Sequence, residues 1–148
     1  LRSRIGALAV VAAVVTLVDQ ATKTLAERRF QLHPVALGPV HLVYVLNSGV
    51  AFSIGIGHPL VAGVMAAVVA ALLAAWGMTR PARVSRFAAG LVVGGALSNL
   101  LDRLVRDHHG AVIDWIQLPF WPVFNVADAA ITVGIVAIIL AEVRVPRG

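Results

Sequence analysis

The chain has no cysteine, and only 13% of its 148 residues are charged, about half the share of a soluble domain. Without thiols, disulfides, cysteine nucleophiles and cysteine-ligated metals are excluded. The five histidines, His33, His41, His58, His108 and His109, include no His-x3-His pair on a helix. No zinc site, no other metal and no cofactor is therefore expected, and His108 and His109 read as solvated loop residues. Internal repeats are lacking too, as is any low-complexity tract beyond a richness in alanine and valine.

Apolar residues take the place of charge. They make up 59% of the chain, with a mean hydropathy of +0.90, which marks an integral membrane protein of one domain over residues 1–148. The net charge of +5 does not indicate nucleic acid, because the basic residues sit at the ends of apolar runs rather than in a patch. Four spanning helices are expected, at about residues 5–25, 59–79, 87–105 and 125–143. Arg2, Arg4, Arg80, Arg83, Arg86, Arg144 and Arg147 all fall on one side of this in-out-in-out path, with the three middle arginines filling the loop between the second and third helices. The positive-inside rule then places both termini in the cytoplasm. Arg2 and Arg4 also fit the n-region of a signal peptide, but no small-x-small cleavage site follows the apolar run.

Two stretches remain on the outer side. Residues 30–57 carry β-branched and aromatic residues with turns at Gly38-Pro39 and Asn47-Ser48-Gly49, so a small β element is expected there. The segment from Arg106 to Phe124 reads as a surface loop holding Asp114, with Trp115 and Trp121 suited to the interfacial belt.

Polar clusters interrupt the apolar runs at Asp19 to Lys23, at Asn99 to Arg103, at Asp114 and at Asn125 to Asp128. Counted from the cytoplasmic side, 14 helix residues (Ile5 to Val18) precede Asp19, 12 (Phe87 to Ser98) precede Asn99 and 13 (Ala129 to Ala141) separate Asp128 from Glu142, or about 18–21 Å of helix in each case. The three clusters thus share one depth, some 10 Å below the outer edge of a ~30 Å core. Ionisable groups at such a depth are costly, and a common polar pocket accounts for them together. Each also has a structural reading. Asn125 and Asp128 fit an N-cap with a first-turn carboxylate. Asn99 and Arg103, and likewise Asp19 and Lys23, are i,i+4 partners. Ser98 and Lys23 are a weaker candidate for a Ser/Lys dyad.

These clusters, in this order, resemble the lipoprotein signal peptidase (signal peptidase II) family. The resemblance rests on Asp19 to Lys23, Asn47 to Phe52, Gly94 to Arg103, Val112 to Trp115 and Phe124 to Ile131, and spans nearly the whole chain. It implies an aspartic endopeptidase of the bacterial inner membrane with its site near the outer leaflet. Such an enzyme removes signal peptides from prolipoproteins just before a diacylglyceryl-modified cysteine. Asp114 and Asp128 would be the catalytic pair. Asp19, Lys23, Asn47, Asn99, Arg103 and Asn125 would support them or contact substrate, with Asp19 and Lys23 bracing the first helix against the Asn47 loop. Partners would be the prolipoprotein and membrane lipid, without nucleic acid, and the enzyme would act as a monomer. Ser98, where the family usually has glycine, is expected to crowd a helix interface slightly, though serine is small and tolerated in helix contacts. Val50 replaces the commoner alanine, and the Arg106 to Gly110 link is longer than in many relatives. A transporter is the competing class, since acids in helices also mark ion paths. A transport path, however, needs polar residues continuing to the cytoplasmic face or a large rocking motion, and the second helix has no ionisable residue. A purely structural membrane subunit is the remaining alternative.

Overall fold

A computed structural model describes residues 2–49, 59–79 and 83–143. In chain order they form α1 (Arg2–Arg29), β1 (Val35–Leu37), β2 (Val40–Asn47), α2 (Pro59–Thr79), α3 (Arg83–Val105), β3 (Val112–Gln117) and α4 (Val126–Val143). Val50, Phe52, His58, Arg80, Arg144 and Arg147 lie outside the described residues.

The helices follow the apolar runs, with two corrections at their ends. α1 continues to Arg29, so Arg28 and Arg29 occupy its last turn, where cations complement the helix dipole. α3 begins at Arg83, so Arg83 and Arg86 belong to the helix and not to the preceding loop. By length and composition, α1 from Ile5 and α3 from Val84 are apolar enough to cross a membrane; the apolar stretches Gly63–Gly77 in α2 and Val126–Ala141 in α4 are shorter.

α3 packs against each of the other helices, and its own glycines set how closely. A Cβ on Gly94 would lie 2.6 Å from the Ala12 carbonyl oxygen of α1, and one on Gly95 would lie 2.5 Å from the Ala127 carbonyl oxygen of α4. The helix backbones therefore touch, as small residues allow in membrane bundles. The interior is built from small side chains, with Ala70, Ala88, Val92, Ala96 and Ile138 forming an apolar cluster. Large ones such as Leu17, Leu72, Phe87, Leu104 and Leu140 face outward. That inversion of the soluble pattern suits a lipid surround.

At the end of the bundle where α1 and α3 finish and α4 starts sits an antiparallel sheet in the order β1-β2-β3. The β1–β2 hairpin turns at Gly38-Pro39, where Gly38 takes a positive φ of 62°. β3 occupies the stretch expected as a surface loop. Its Val-Ile-Asp-Trp-Ile run is β-branched and aromatic, and it pairs with β2 through Leu46↔Ile113 and Val45↔Asp114. Asp114 is consequently a strand residue, only 2% exposed. Trp115, suited by its sequence position to the interfacial belt, is half-buried. Its ring stacks on Phe30 at 6.3 Å, and its indole nitrogen is buried.

Candidate active site

Asp114 and Asp128 arrive from different elements and meet at Asn125. Asn125 immediately precedes α4, and its side-chain oxygen accepts from the Asp128 amide at 2.9 Å. The Asp128 carboxylate in turn accepts from the Asn125 amide at 3.2 Å. This is the reciprocal pattern of a capping box. The same asparagine donates through its side-chain nitrogen to Asp114 Oδ1 at 2.7 Å. Cap and polar site thus share Asn125 and Asp128, and the structural reading of this motif as a helix cap is borne out.

Each acid has a second amide donor. Asn47 pairs with Val112 across the sheet, which makes it the diagonal neighbour of Asp114 on one face. Its Nδ2 donates to Asp114 Oδ2 at 2.9 Å, while its own oxygen is held by the Gly49 amide at 2.9 Å. That Asx-type turn orients the Asn47 amide toward the acid. On the other side, Asn99 of α3 donates to Asp128 Oδ1 at 2.9 Å. Burial raises the Asp114 pKa to about 6, the hydrogen bond from Asn47 opposes that rise, and the nearby Asp128 charge adds to it.

Beneath the two acids lies a buried ionic cluster. The Lys23 ammonium donates to Asp19 at 2.7 Å, to Asp102 at 2.9 Å and to Asn99 Oδ1 at 2.8 Å, which uses all three of its protons. Asp19 reaches across to the start of α4, where its Oδ1 accepts the Ala127 amide at 2.8 Å. Asp102 accepts the backbone amide of Ile113 at 3.1 Å, one residue before Asp114. It also takes Gln20 Nε2 at 2.7 Å and Arg106 Nε at 3.2 Å. Charges so fully desolvated persist only when paired and hydrogen-bonded, and removing one partner costs about 3–5 kcal/mol.

The cluster corrects several expectations. Among the described residues, Asp19 and Lys23 tie α1 to α3 and to the start of α4, with no bond to Asn47, Ser48 or Gly49. Ser98 links the helices that it was expected to crowd: its hydroxyl donates to Asp19 at 2.7 Å and accepts from Gln20 at 3.0 Å. With the Ser98 and Lys23 protons so committed, the Ser/Lys dyad is not formed. Arg103 bonds the backbone oxygen of Asn99 at 3.2 Å instead of its side chain, and its Nε is buried without a hydrogen-bond partner among the described residues. His108 is not a free loop residue, since its Nε2 lies 2.8 Å from Glu27, while His109 is exposed.

Sequence reasoning placed Gln20 and Asp102 within the polar clusters without giving either a role, and passed over Glu27, Arg106 and His108. Arg106 bonds Asp102, Glu27 at 3.0 Å, Thr24 at 3.0 Å and Gln20. The available signal was the i,i+4 spacing of Asp102 and Arg106, which marks one helical face. Among the described residues, no group of three His, Cys, Asp or Glu side chains is arranged to hold a metal ion.

A family model described as signal peptidase (SPase) II matches residues 11–144. The lipoprotein signal peptidase of Halothermothrix orenii is 36% identical over 135 residues, covering 88% of this chain and 91% of that protein. That of Pelotomaculum thermopropionicum is 39% identical over 133 residues, covering 86% and 85%. A solved bacterial membrane enzyme, determined by the in meso method at 1.9 Å resolution, matches with a TM-score of 0.79 at 25% identity. That match covers 95% of this chain and 94% of the other.

Proposed function

This chain belongs to the signal peptidase II family of aspartic proteases, and from that premise we propose that Asp114 and Asp128 are its catalytic pair. Its activity is signal-peptide removal from prolipoproteins. The finer reading is an endopeptidase that cuts just before a diacylglyceryl-modified cysteine. The observation that carries the reading is the position of Asn125, which holds one carboxylate with its side chain and the other with its backbone.

The chemistry follows from two acids that share one proton. Two adjacent carboxylates resist ionising together, so one stays protonated. The ionised acid removes a proton from a water molecule, and the water oxygen attacks the scissile carbonyl carbon. The protonated acid polarises the carbonyl oxygen. As the tetrahedral intermediate collapses, the C–N bond breaks and the amine of the lipid-modified cysteine leaves with a proton from the pair. Four amide donors, from Asn47, Asn99 and both groups of Asn125, fix the carboxylates throughout. Asp19 and Lys23 keep the elements in register, and Arg103 serves as a supporting or substrate-contacting group.

The full reading is one multi-pass peptidase domain with four spans, cytoplasmic termini and a site near the outer leaflet, acting as a monomer among lipids. At that depth the diacylglyceryl chains stay in lipid while the peptide bond reaches the acids. Transport is disfavoured by the apolar cluster of Ala70, Ala88, Val92, Ala96 and Ile138, which offers an ion no polar groups.

The test is cleavage of a diacylglyceryl-modified prolipoprotein by the detergent-purified protein, read as a gel shift. Asp114→Asn and Asp128→Asn should each retain the fold and lose at least about 100-fold in rate. Near-normal cleavage by either variant would remove that residue from the pair, with Asp102 next in line. An inactive but folded wild type would overturn the peptidase reading.

A further inference from the structure

The segment between β3 and α4 exposes its two aromatic residues. Phe120 is fully exposed at 106%, and Trp121 at 63%. Phe120 also takes a positive φ of 60°, a left-handed conformation that is unfavourable for a bulky residue. The tip is nonetheless fixed. Pro119 and Pro122 flank it, and the Trp121 amide closes a turn onto the Leu118 carbonyl at 3.3 Å. Beyond it, Phe124 pairs back onto β3, exchanging bonds of 2.9 and 3.0 Å with Ile116. The chain thus holds two large apolar rings outward at a conformational cost and with no partner surface among the described residues.

What covers them follows from where they stand. No charged residue occurs between Asp114 and Asp128. Trp121 is five residues from the first residue of α4, at most about 17 Å of chain. The last turn of α3, at the same end of the bundle, exposes Leu104 and Val105. The tip therefore belongs to the end of the bundle where α3 exposes apolar Leu104 and Val105 and α1 exposes charged Arg28 and Arg29, the mixture suited to the level where lipid gives way to water. Phenylalanine and tryptophan gain most at such a boundary.

We infer that Phe120 and Trp121 form an anchor that inserts into the interfacial zone of the bilayer. Because Phe124 pins the tip to β3, the anchor also sets the height of the strand that carries Asp114. Trp115, half-buried and stacked on Phe30, has no part in it. The inference uses the protein's membrane residence and is independent of the roles assigned to the two acids.

Tryptophan quenching tests it. The full chain carries Trp76, Trp115 and Trp121, so a Trp76→Phe/Trp115→Phe variant isolates the third. It would be reconstituted in phosphatidylcholine–phosphatidylglycerol vesicles with bromine either near the headgroup or deep in the acyl chains. The expected result is blue-shifted emission, quenched roughly twofold more by the shallow bromine than by the deep one. Phe120→Ser should reduce that quenching and leave helicity unchanged. Should the double variant fold poorly, the difference between wild-type and Trp121→Phe spectra gives the same quantity. Water-like emission unquenched by either lipid would overturn the anchor. So would emission that shifts only when a signal-peptide substrate is added, which would make the tip a substrate contact.

Discussion

At Asp114, burial and hydrogen bonding pull in opposite directions, and burial wins. Its pKa stands at about 6 against an ordinary 3.8, so the folded protein binds a proton between those values that the unfolded chain has released. Stability therefore falls as pH rises from 3.8 to about 6, by on the order of 3 kcal/mol from this group. The same ionisation removes the proton that the proposed catalytic pair has to share. A descending limb near pH 6 is accordingly expected in kcat/KM, which reports the free enzyme. Because the acids interact, the limb belongs to the pair. Asn47→Leu deletes the hydrogen bond that holds this pKa down, so the limb should move to higher pH. A profile that stays in place or moves to lower pH would contradict the role given to Asn47.

Among the elements, α3 governs how the others meet. Its Gly95 lets the Ala127 carbonyl of α4 approach to where a Cβ would stand, and Ala127 is the residue before Asp128. Gly95→Val should push the start of α4 away, lengthen the contact between Asn99 and Asp128, and destabilise the protein by about 1–3 kcal/mol. The expected outcome is a folded, helical protein with a large loss of kcat, measured by circular dichroism beside the cleavage assay. Unimpaired cleavage would show that α4 tolerates the shift. The sheet works in the same way, since β2 brings Asn47 beside Asp114 only because β3 pairs with it in this register. A slip of one residue would turn the Asp114 side chain to the opposite face.

The molecule as a whole buries Asp19, Lys23, Asp102, Asp114 and Asn125 among helices with apolar outer faces, and its lack of cysteine makes the proposed topology simple to check. Ala36→Cys in the exposed β1 should react with a membrane-impermeant maleimide in intact spheroplasts. Thr79→Cys, at the far end of α2, should react only after lysis. The reverse pattern would invert the orientation drawn from the arginines.

Membrane residence, the course of the apolar helices, the β-rich segment after α1 and the Asn125–Asp128 cap were legible in the sequence, because each depends on neighbours within one or two turns. So was the meeting of the helix-borne polar clusters, since helical rise converts residue counts into height along each helix. The pairings were not. Lys23 has Asp19 four residues away, and nothing local foretells that Asp102 and Asn99 take its other protons. Nor does Ser98 announce a bond to Asp19, or Asp19 a bond to the Ala127 amide 108 residues on. β3 was hidden as well, because a six-residue strand with an acid inside it forms only against its partner β2. These contacts exist because glycine faces on α3 bring three backbones close enough for short polar side chains to span the gap. That distance is set by packing, so it was decided only in the folded structure.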